Sequence, residues 1–188
     1  MILFKCCTLI EQDNVLNLIV DKKDNFIMAI NKNQGLIFKV ASIYTNTNED
    51  KNDLSQEIIY QLWKSFDTFQ QKSSLSTWIY RVALNVAIYH LKTSKRKIKT
   101  ELLDKQFLNF QETNNKYNET EEKWQMVKQH IDTLNLLDKG IVLLYLENRS
   151  HEEIGQIIGI STSNVGTKLS RIKEKFKQQI LNNYNHGT

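Results

Sequence analysis

The segment from Asn148 to Ile180, NRSHEEIGQIIGISTSNVGTKLSRIKEKFKQQI, constrains the fold most tightly because it carries two helix starts and a stop within one short run. Ser150 followed three residues later by Glu153 has the spacing of a capping box, in which side chain and backbone donors are satisfied reciprocally. Ile154, Ile157 and Ile158 then supply an inward face, and Gly159 is placed to end the helix. Ser161 is positioned to cap a second helix whose apolar stripe is Val165, Leu169, Ile172 and Phe176. A short helix, a tight turn and a longer helix form a helix-turn-helix.

Charge gives the second helix a direction. Between Ser161 and Gln179 it carries Lys168, Arg171, Lys173, Lys175 and Lys177 against Glu174 alone. Its polar first half, with Ser163, Asn164, Thr167 and Lys168, is the end that enters a major groove in such motifs, while later cations sit against phosphates. A helical hairpin with a solvated basic face is the plainer alternative.

The rest of the chain predicts an all-α fold. Among 188 residues there is no Pro and only 6 Gly, too few turn formers for a sheet-rich architecture. Ile30, Ile37, Val40, Ala41 and Tyr44 fall at helical spacing, with Gly35 as a candidate break into two helices. Asp53 is a candidate cap for a helix in which Leu54, Ile58, Leu62 and Phe66 recur every four residues beside Trp63. FDTFQQKSSLST then reads as a polar loop ending in a Ser/Thr cap. After residue 99 the texture becomes Asn- and Glu-rich, which suggests a linker to about 122. Val127, Ile131 and Leu134 open a second helical unit, in which Ile141 to Leu146 is a buried apolar helix.

The net charge of +4 is mild, so any polyanionic partner must be met by a local concentration of cations. The adjacent Cys6 and Cys7 supply neither a disulfide framework nor a four-ligand zinc site, which fits a reducing, cytoplasmic setting. MILFKCCTLIEQDN lacks the features of a signal peptide, and no run approaches the roughly 20 apolar residues of a membrane span. No metal or cofactor motif is found, and His90, His130, His151 and His186 are scattered.

A second concentration of cations lies in STWIYRVALNVAIYHLKTSKRK, residues 76–97. Ile79, Val82, Ala83 and Val86 form its apolar face, whereas Arg81, Asn85, Tyr89, Lys92 and Arg96 recur every three or four residues along another. No acid falls between Arg81 and Lys99, and Lys92, Lys95, Arg96, Lys97 and Lys99 gather at the end. The helix dipole favours terminal cations by roughly 0.3–1 kcal/mol each, but five exceed that need. An aromatic, an amide and a row of cations suit a nucleic-acid strand with exposed bases. Trp78, one turn earlier, is open to both readings, packing and contact.

With three motifs in order, DLSQEIIYQLWKSF, the 76–97 segment and LYLENRSHEEIGQIIGISTSNVGTKLSRIKEKF, the chain resembles a bacterial RNA polymerase sigma factor of the sigma-70 family, of the extracytoplasmic-function type. The resemblance covers about Phe26 to Leu181. It implies two small helical domains joined by a flexible polar linker: residues 1–24 an N-terminal extension, 25–98 sigma region 2, 99–122 the linker, 123–182 sigma region 4 and 183–188 a tail.

The resemblance also implies roles. The helix from Asp53 to Phe66 would dock on the clamp helices of the polymerase largest subunit, with Asp53, Leu54, Gln56, Glu57 and Trp63 as its contact set. The loop 69–76 and the helix after it would capture an unstacked base of the minus-10 element, using Trp78, Arg81, Asn85, Tyr89, Lys92, Lys95, Arg96 and Lys97 for bases and backbone. Ser163, Asn164, Thr167, Lys168 and Arg171 would read the minus-35 element. Core RNA polymerase and promoter DNA are the implied partners, with an anti-sigma factor a further one, and neither enzymatic activity nor a cofactor is implied. Gly155 departs from the family, which usually has Ala there, at an expected cost of up to about 1 kcal/mol. The alternative is a helix-turn-helix regulator whose N-terminal helices dimerise or receive a signal, and beyond it a helical adaptor that binds only proteins.

Overall fold

The computed structural model describes the backbone of residues 2–69, 72–101 and 127–185, with side chains over 22–69, 72–93 and 127–181. The described residues contain helices and no strand. These are α1 (Ile2–Tyr44), α2 (Asn48–Ser65), a 3-10 turn (Phe66–Thr68), α3 (Leu75–Glu101), α4 (127–132), α5 (Leu136–Leu146), α6 (His151–Ile158) and α7 (Thr162–Asn185).

The first three helices pack on one another. Phe26, Ile30, Ile37, Val40, Ala41 and Tyr44 face inward from α1, and Leu54, Ile58 and Leu62, at the predicted intervals of four, from α2. Gly35 does not interrupt α1. Its helix penalty of about 1 kcal/mol is smaller than the roughly 1.5–3 kcal/mol gained by burying each of Ile37 and Val40 just beyond it.

The start of α2 corrects the expectation for Asp53. Thr47 is the cap, its hydroxyl accepting from the Asp50 amide at 3.0 Å, and Glu49 and Asp50 occupy the favourable first turn. Asp53 is therefore an exposed side chain within the helix. Ser74 caps α3, accepting from the Thr77 amide at 3.2 Å.

The buried stripe of α3 is rotated from the predicted one. Ile79, Tyr80, Ala83, Leu84 and Ala87 are buried, while Val82 and Val86 are only partly so. The reason is a neighbour that periodicity cannot anticipate: α5 and α6 pack on α3 as well.

In the second half, Ile131, Leu134, Ile141 to Leu144, Ile154, Ile157, Val165, Leu169 and Ile172 are buried, and Tyr145 and Leu146 end the apolar run exposed. Both components of the capping box at Ser150 and Glu153 are present. Gly159 ends α6 in the left-handed conformation at φ 83°, and Ser161 accepts from the Asn164 amide at 3.3 Å.

Gly155 has a role that helix propensity misses. A Cβ there would lie 2.7 Å from the backbone oxygen of Ile160, and the Gly155 carbonyl accepts from both Gly159 and Ile160 amides. The tight turn depends on that close approach.

The two halves meet in one continuous apolar core. The Tyr44 hydroxyl donates to the Leu136 carbonyl at 2.7 Å, and Lys128 donates to the Thr45 carbonyl at 2.8 Å. Gly140 sits at this junction, where a Cβ would come within 3.1 Å of the Tyr44 hydroxyl and 3.3 Å of Leu84 Cδ2.

Candidate nucleic-acid interface

The outer face of α3 presents Arg81, Asn85, Tyr89 and Lys92, all exposed and aligned by the helical period. Tyr89 is 68% exposed and sets an aromatic ring among the polar side chains of that face. Lys95, Arg96 and Lys97 continue the helix, but their side chains lie outside the described residues.

Trp78 belongs to an aromatic cluster. Its ring lies 5.1 Å from Phe69 and 6.3 Å from Phe66, and Phe66 packs edge-on at 5.3 Å against Phe26, itself 5.0 Å from Trp63. The half-buried Trp78 is thus fixed by packing while keeping part of its surface open beside the segment that precedes α3. Phe69 opens the loop that the family resemblance assigns to base capture, but its ring is not singled out in the sequence because the surrounding residues are polar.

The same cluster accounts for Trp63. Lys22 lies 4.7 Å over its ring and pairs with Asp67, so the last residues assigned to the extension are tied to α2. Leu54 is fully buried. Asp53, Gln56 and Glu57 form a separate exposed face, to which Tyr60, 57% exposed, adds an aromatic. Its spacing of four from Gln56 was readable in the sequence.

On α7, Ser163, Asn164, Thr167 and Arg171 are exposed at the end that follows the turn, and Ser170 joins them. Lys168 is carried by the same turns but is drawn inward, pairing with Asp138 at 2.9 Å. Lys173 donates to the Tyr145 hydroxyl at 2.9 Å and lies over its ring, and Lys175 donates to the Thr133 carbonyl at 2.7 Å. The basic helix therefore divides its cations between its own domain and solvent.

Arg149, between α5 and α6, carries no local signal by which it could be selected. It donates to Glu153 at 3.0 Å and to the Ser76 hydroxyl at 3.1 Å, with its guanidinium 5.5 Å from the Tyr80 ring centre. Burial, then the nearby Glu147 carboxylate, pushes the Tyr80 hydroxyl up to about 12. Hydrogen bonding to the Ser150 amide, then to Arg149, holds the Glu153 carboxyl below its ordinary range. Tyr44 is raised too, chiefly by burial, and stays a neutral donor. The described residues contain no group of His, Cys, Asp and Glu able to hold a metal.

The arrangement offers two polar helical faces with interspersed cations, one beside anchored aromatics and one following a tight turn. Comparison with known proteins gives the same order. The Sigma-70 region 2 family matches residues 29–97 and the Sigma-70 region 4 family matches 125–176. RNA polymerase sigma factor SigV of Bacillus subtilis is 26% identical over 144 residues, 76% of this chain and 83% of the relative. The ECF RNA polymerase sigma-E factor of Escherichia coli K12 is 29% identical over 154 residues, 76% of this chain and 81% of the relative.

Two solved structures share the fold. CnrH in complex with the cytosolic domain of CnrY superposes with a TM-score of 0.60 at 13% identity, covering 84% of this chain and 88% of that one. RpoE from Bartonella quintana in complex with the anti-sigma factor NepR gives 0.64 at 15%, covering 85% and 96%. With both region families matched in order along one chain and full-length relatives of the same kind, this chain belongs to the sigma-70 family of RNA polymerase sigma factors, in its extracytoplasmic-function group.

Proposed function

We propose that the chain binds core RNA polymerase and directs it to promoters, reading two elements and stabilising the separated strand, without catalysing a reaction itself. The observation that carries this is the ordered pair of sigma regions on two helical halves, each with an exposed polar face.

In this reading residues 25–98 act as region 2 and 123–182 as region 4. Asp53, Gln56, Glu57 and Tyr60 meet the clamp helices of the polymerase, while Leu54 and Trp63 support that face from within. Asn85 hydrogen-bonds a base of the minus-10 strand, and Trp78, braced by Phe66 and Phe69, offers a stacking surface. Arg81, Lys92, Lys95, Arg96 and Lys97 meet phosphates. Captured bases offset an unstacking cost of a few kcal/mol. Ser163, Asn164, Thr167 and Arg171 read the minus-35 duplex, and Lys168 leaves its pairing with Asp138 to join them.

Both superposable structures hold a protein partner, and in one of them a sigma factor is bound by a partner named as an anti-sigma factor; we extend a partner of that kind to this chain. No helix among the described residues is long and apolar enough to cross a membrane. Work on polymerase and promoter places the protein in the cytoplasm.

Reconstituted transcription tests the proposal. The purified chain added to core polymerase is expected to start transcripts at selected promoters, and failure either to associate or to initiate would overturn the reading.

A further inference from the structure

We propose that Lys22 is a positioning residue for strand capture: it fixes the turn after α2 and, through that turn, the ring of Trp78. This deepens the sigma-factor reading above and rests on it. Lys22 precedes the region 2 match, which begins at residue 29, so the end of the N-terminal extension takes part in capture without touching the strand.

The 3-10 turn Phe66–Thr68 is shaped by its own hydrogen bonds. The Thr68 hydroxyl donates to the Ser65 carbonyl at 2.6 Å, and the Phe69 amide donates to the Phe66 carbonyl at 3.1 Å. Such local bonds set the form of the turn but not its place on the domain. That place matters because Phe66 starts the turn and Phe69 follows it, and these are the rings beside Trp78, at 6.3 and 5.1 Å. A turn that shifts carries the support of Trp78 with it.

Two side chains of α1 hold the turn from outside. Phe26, 8% exposed, packs edge-on against Phe66 and Trp63. Four residues earlier, on the same face of the helix, Lys22 reaches the same two elements. Its ammonium pairs with Asp67, in the middle of the 3-10 turn, and lies 4.7 Å over the Trp63 ring. One cation thereby ties the turn to α1 and α2 together. The Asp67 side chain is 65% exposed, so the pair adds little to the stability of the whole fold. Its effect is local, on where the turn sits.

The consequence for capture is entropic. A base that stacks on Trp78 must also pay for whatever freedom the ring retains, and that cost falls when the ring is already held.

The test uses Lys22→Ala and Asp67→Asn in the full chain. Both sites reach solvent, so the variants keep the fold, with the thermal midpoint lowered by at most about 2–4 °C. The first readout is made without polymerase. In a Trp63→Phe, Trp124→Phe background Trp78 is the sole tryptophan, and the phenyl ring at position 63 keeps a surface for Lys22 and Phe26. Either variant is expected to raise the quenching of Trp78 by acrylamide and to lower its emission anisotropy.

The second readout uses holoenzyme reconstituted with core polymerase. Its probe is a single-stranded oligonucleotide carrying the minus-10 strand of a promoter that the wild type initiates. Both variants are expected to bind it about threefold to tenfold more weakly, with affinity for core polymerase and for a minus-35 duplex unchanged. Asp67→Asn is decisive, since it removes a negative charge and electrostatics alone predicts tighter binding. Lys22→Arg should retain wild-type capture, because a guanidinium both stacks on Trp63 and pairs with Asp67.

Unchanged quenching, a looser Trp78 with unchanged strand affinity, or tighter binding by Asp67→Asn would overturn the assignment. Failure of the wild type to initiate would defeat the sigma reading, while the quenching of Trp78 still decides whether Lys22 holds the ring.

Discussion

Helices α3 and α7 solve the same problem differently. Each turns a polar row outward and an apolar row inward, but α7 is packed by α5 and α6, which lie just before it in the chain, whereas α3 is packed from both halves. Periodicity consequently marks Val165, Leu169 and Ile172 as buried on α7 and misplaces the stripe on α3, where Tyr80, Leu84 and Ala87 are drawn in. A repeat shows that a helix has two faces. Which one is covered depends on what arrives from elsewhere in the chain.

The strongest way to break this contrast is at Leu84, buried on α3 and facing the position of Gly140 in the other half. Leu84→Ala is expected to cost about 2–5 kcal/mol. Thermal unfolding followed by circular dichroism should separate into two transitions, because the shared core is cut. Ile172→Ala, confined to the second half, should lower stability without that separation, and a single unchanged transition in Leu84→Ala would show that the halves do not depend on each other.

The two outer faces are next. Asn85→Ala should weaken holoenzyme binding by about 1–3 kcal/mol at one base position of the minus-10 element. A matched series of promoter substitutions reads this directly, and an equal loss on every sequence would remove base reading from Asn85. Lys95→Ala and Lys97→Ala should lower affinity uniformly and flatten its salt dependence.

Much of the second half was legible because its determinants are local. The capping box, Gly159, the Ser161 cap and the apolar stripe of α7 each depend on residues a turn or two apart. The first half yielded less. Thr47 rather than Asp53 caps α2, since an Asn-rich stretch that resembles a loop is already the first turn. Trp78 could not be placed because its partners Phe66 and Phe69 reach it only after the chain reverses. Arg149, Ser76 and Tyr80 are brought together across more than 60 positions, which no local pattern reports.

Two glycines make that difference measurable. Gly35 is in α1, and a Cβ there has no neighbour within 4 Å, so Gly35→Ala should stabilise by up to about 1 kcal/mol through helix propensity alone. Gly155→Ala gains the same propensity but drives a methyl against the Ile160 carbonyl oxygen, and the net result should be a loss of about 1–2 kcal/mol. Chemical denaturation of both variants distinguishes the cases. Stabilisation by Gly155→Ala would mean that the turn widens freely.

The smallest expected effect concerns how the second half holds Arg149 against Ser76 of the first. Glu153 accepts from the Ser150 amide and pairs with Arg149, and both interactions favour the carboxylate, lowering its pKa on folding. A carboxyl depressed in the folded state adds stability above its unfolded pKa, and that contribution disappears as pH falls through the folded pKa. The site is well exposed and screened, so an i,i+4 pair of this kind is worth about 0.3–0.5 kcal/mol. Acidification through and below the ordinary carboxylate range should therefore loosen Arg149 and lengthen the distance between the halves slightly before global unfolding. Glu153→Gln retains a polar acceptor for the capping box, removes the charge and should abolish that early component. If the variant and wild type open along the same pH curve, the acid sensitivity does not lie at Glu153.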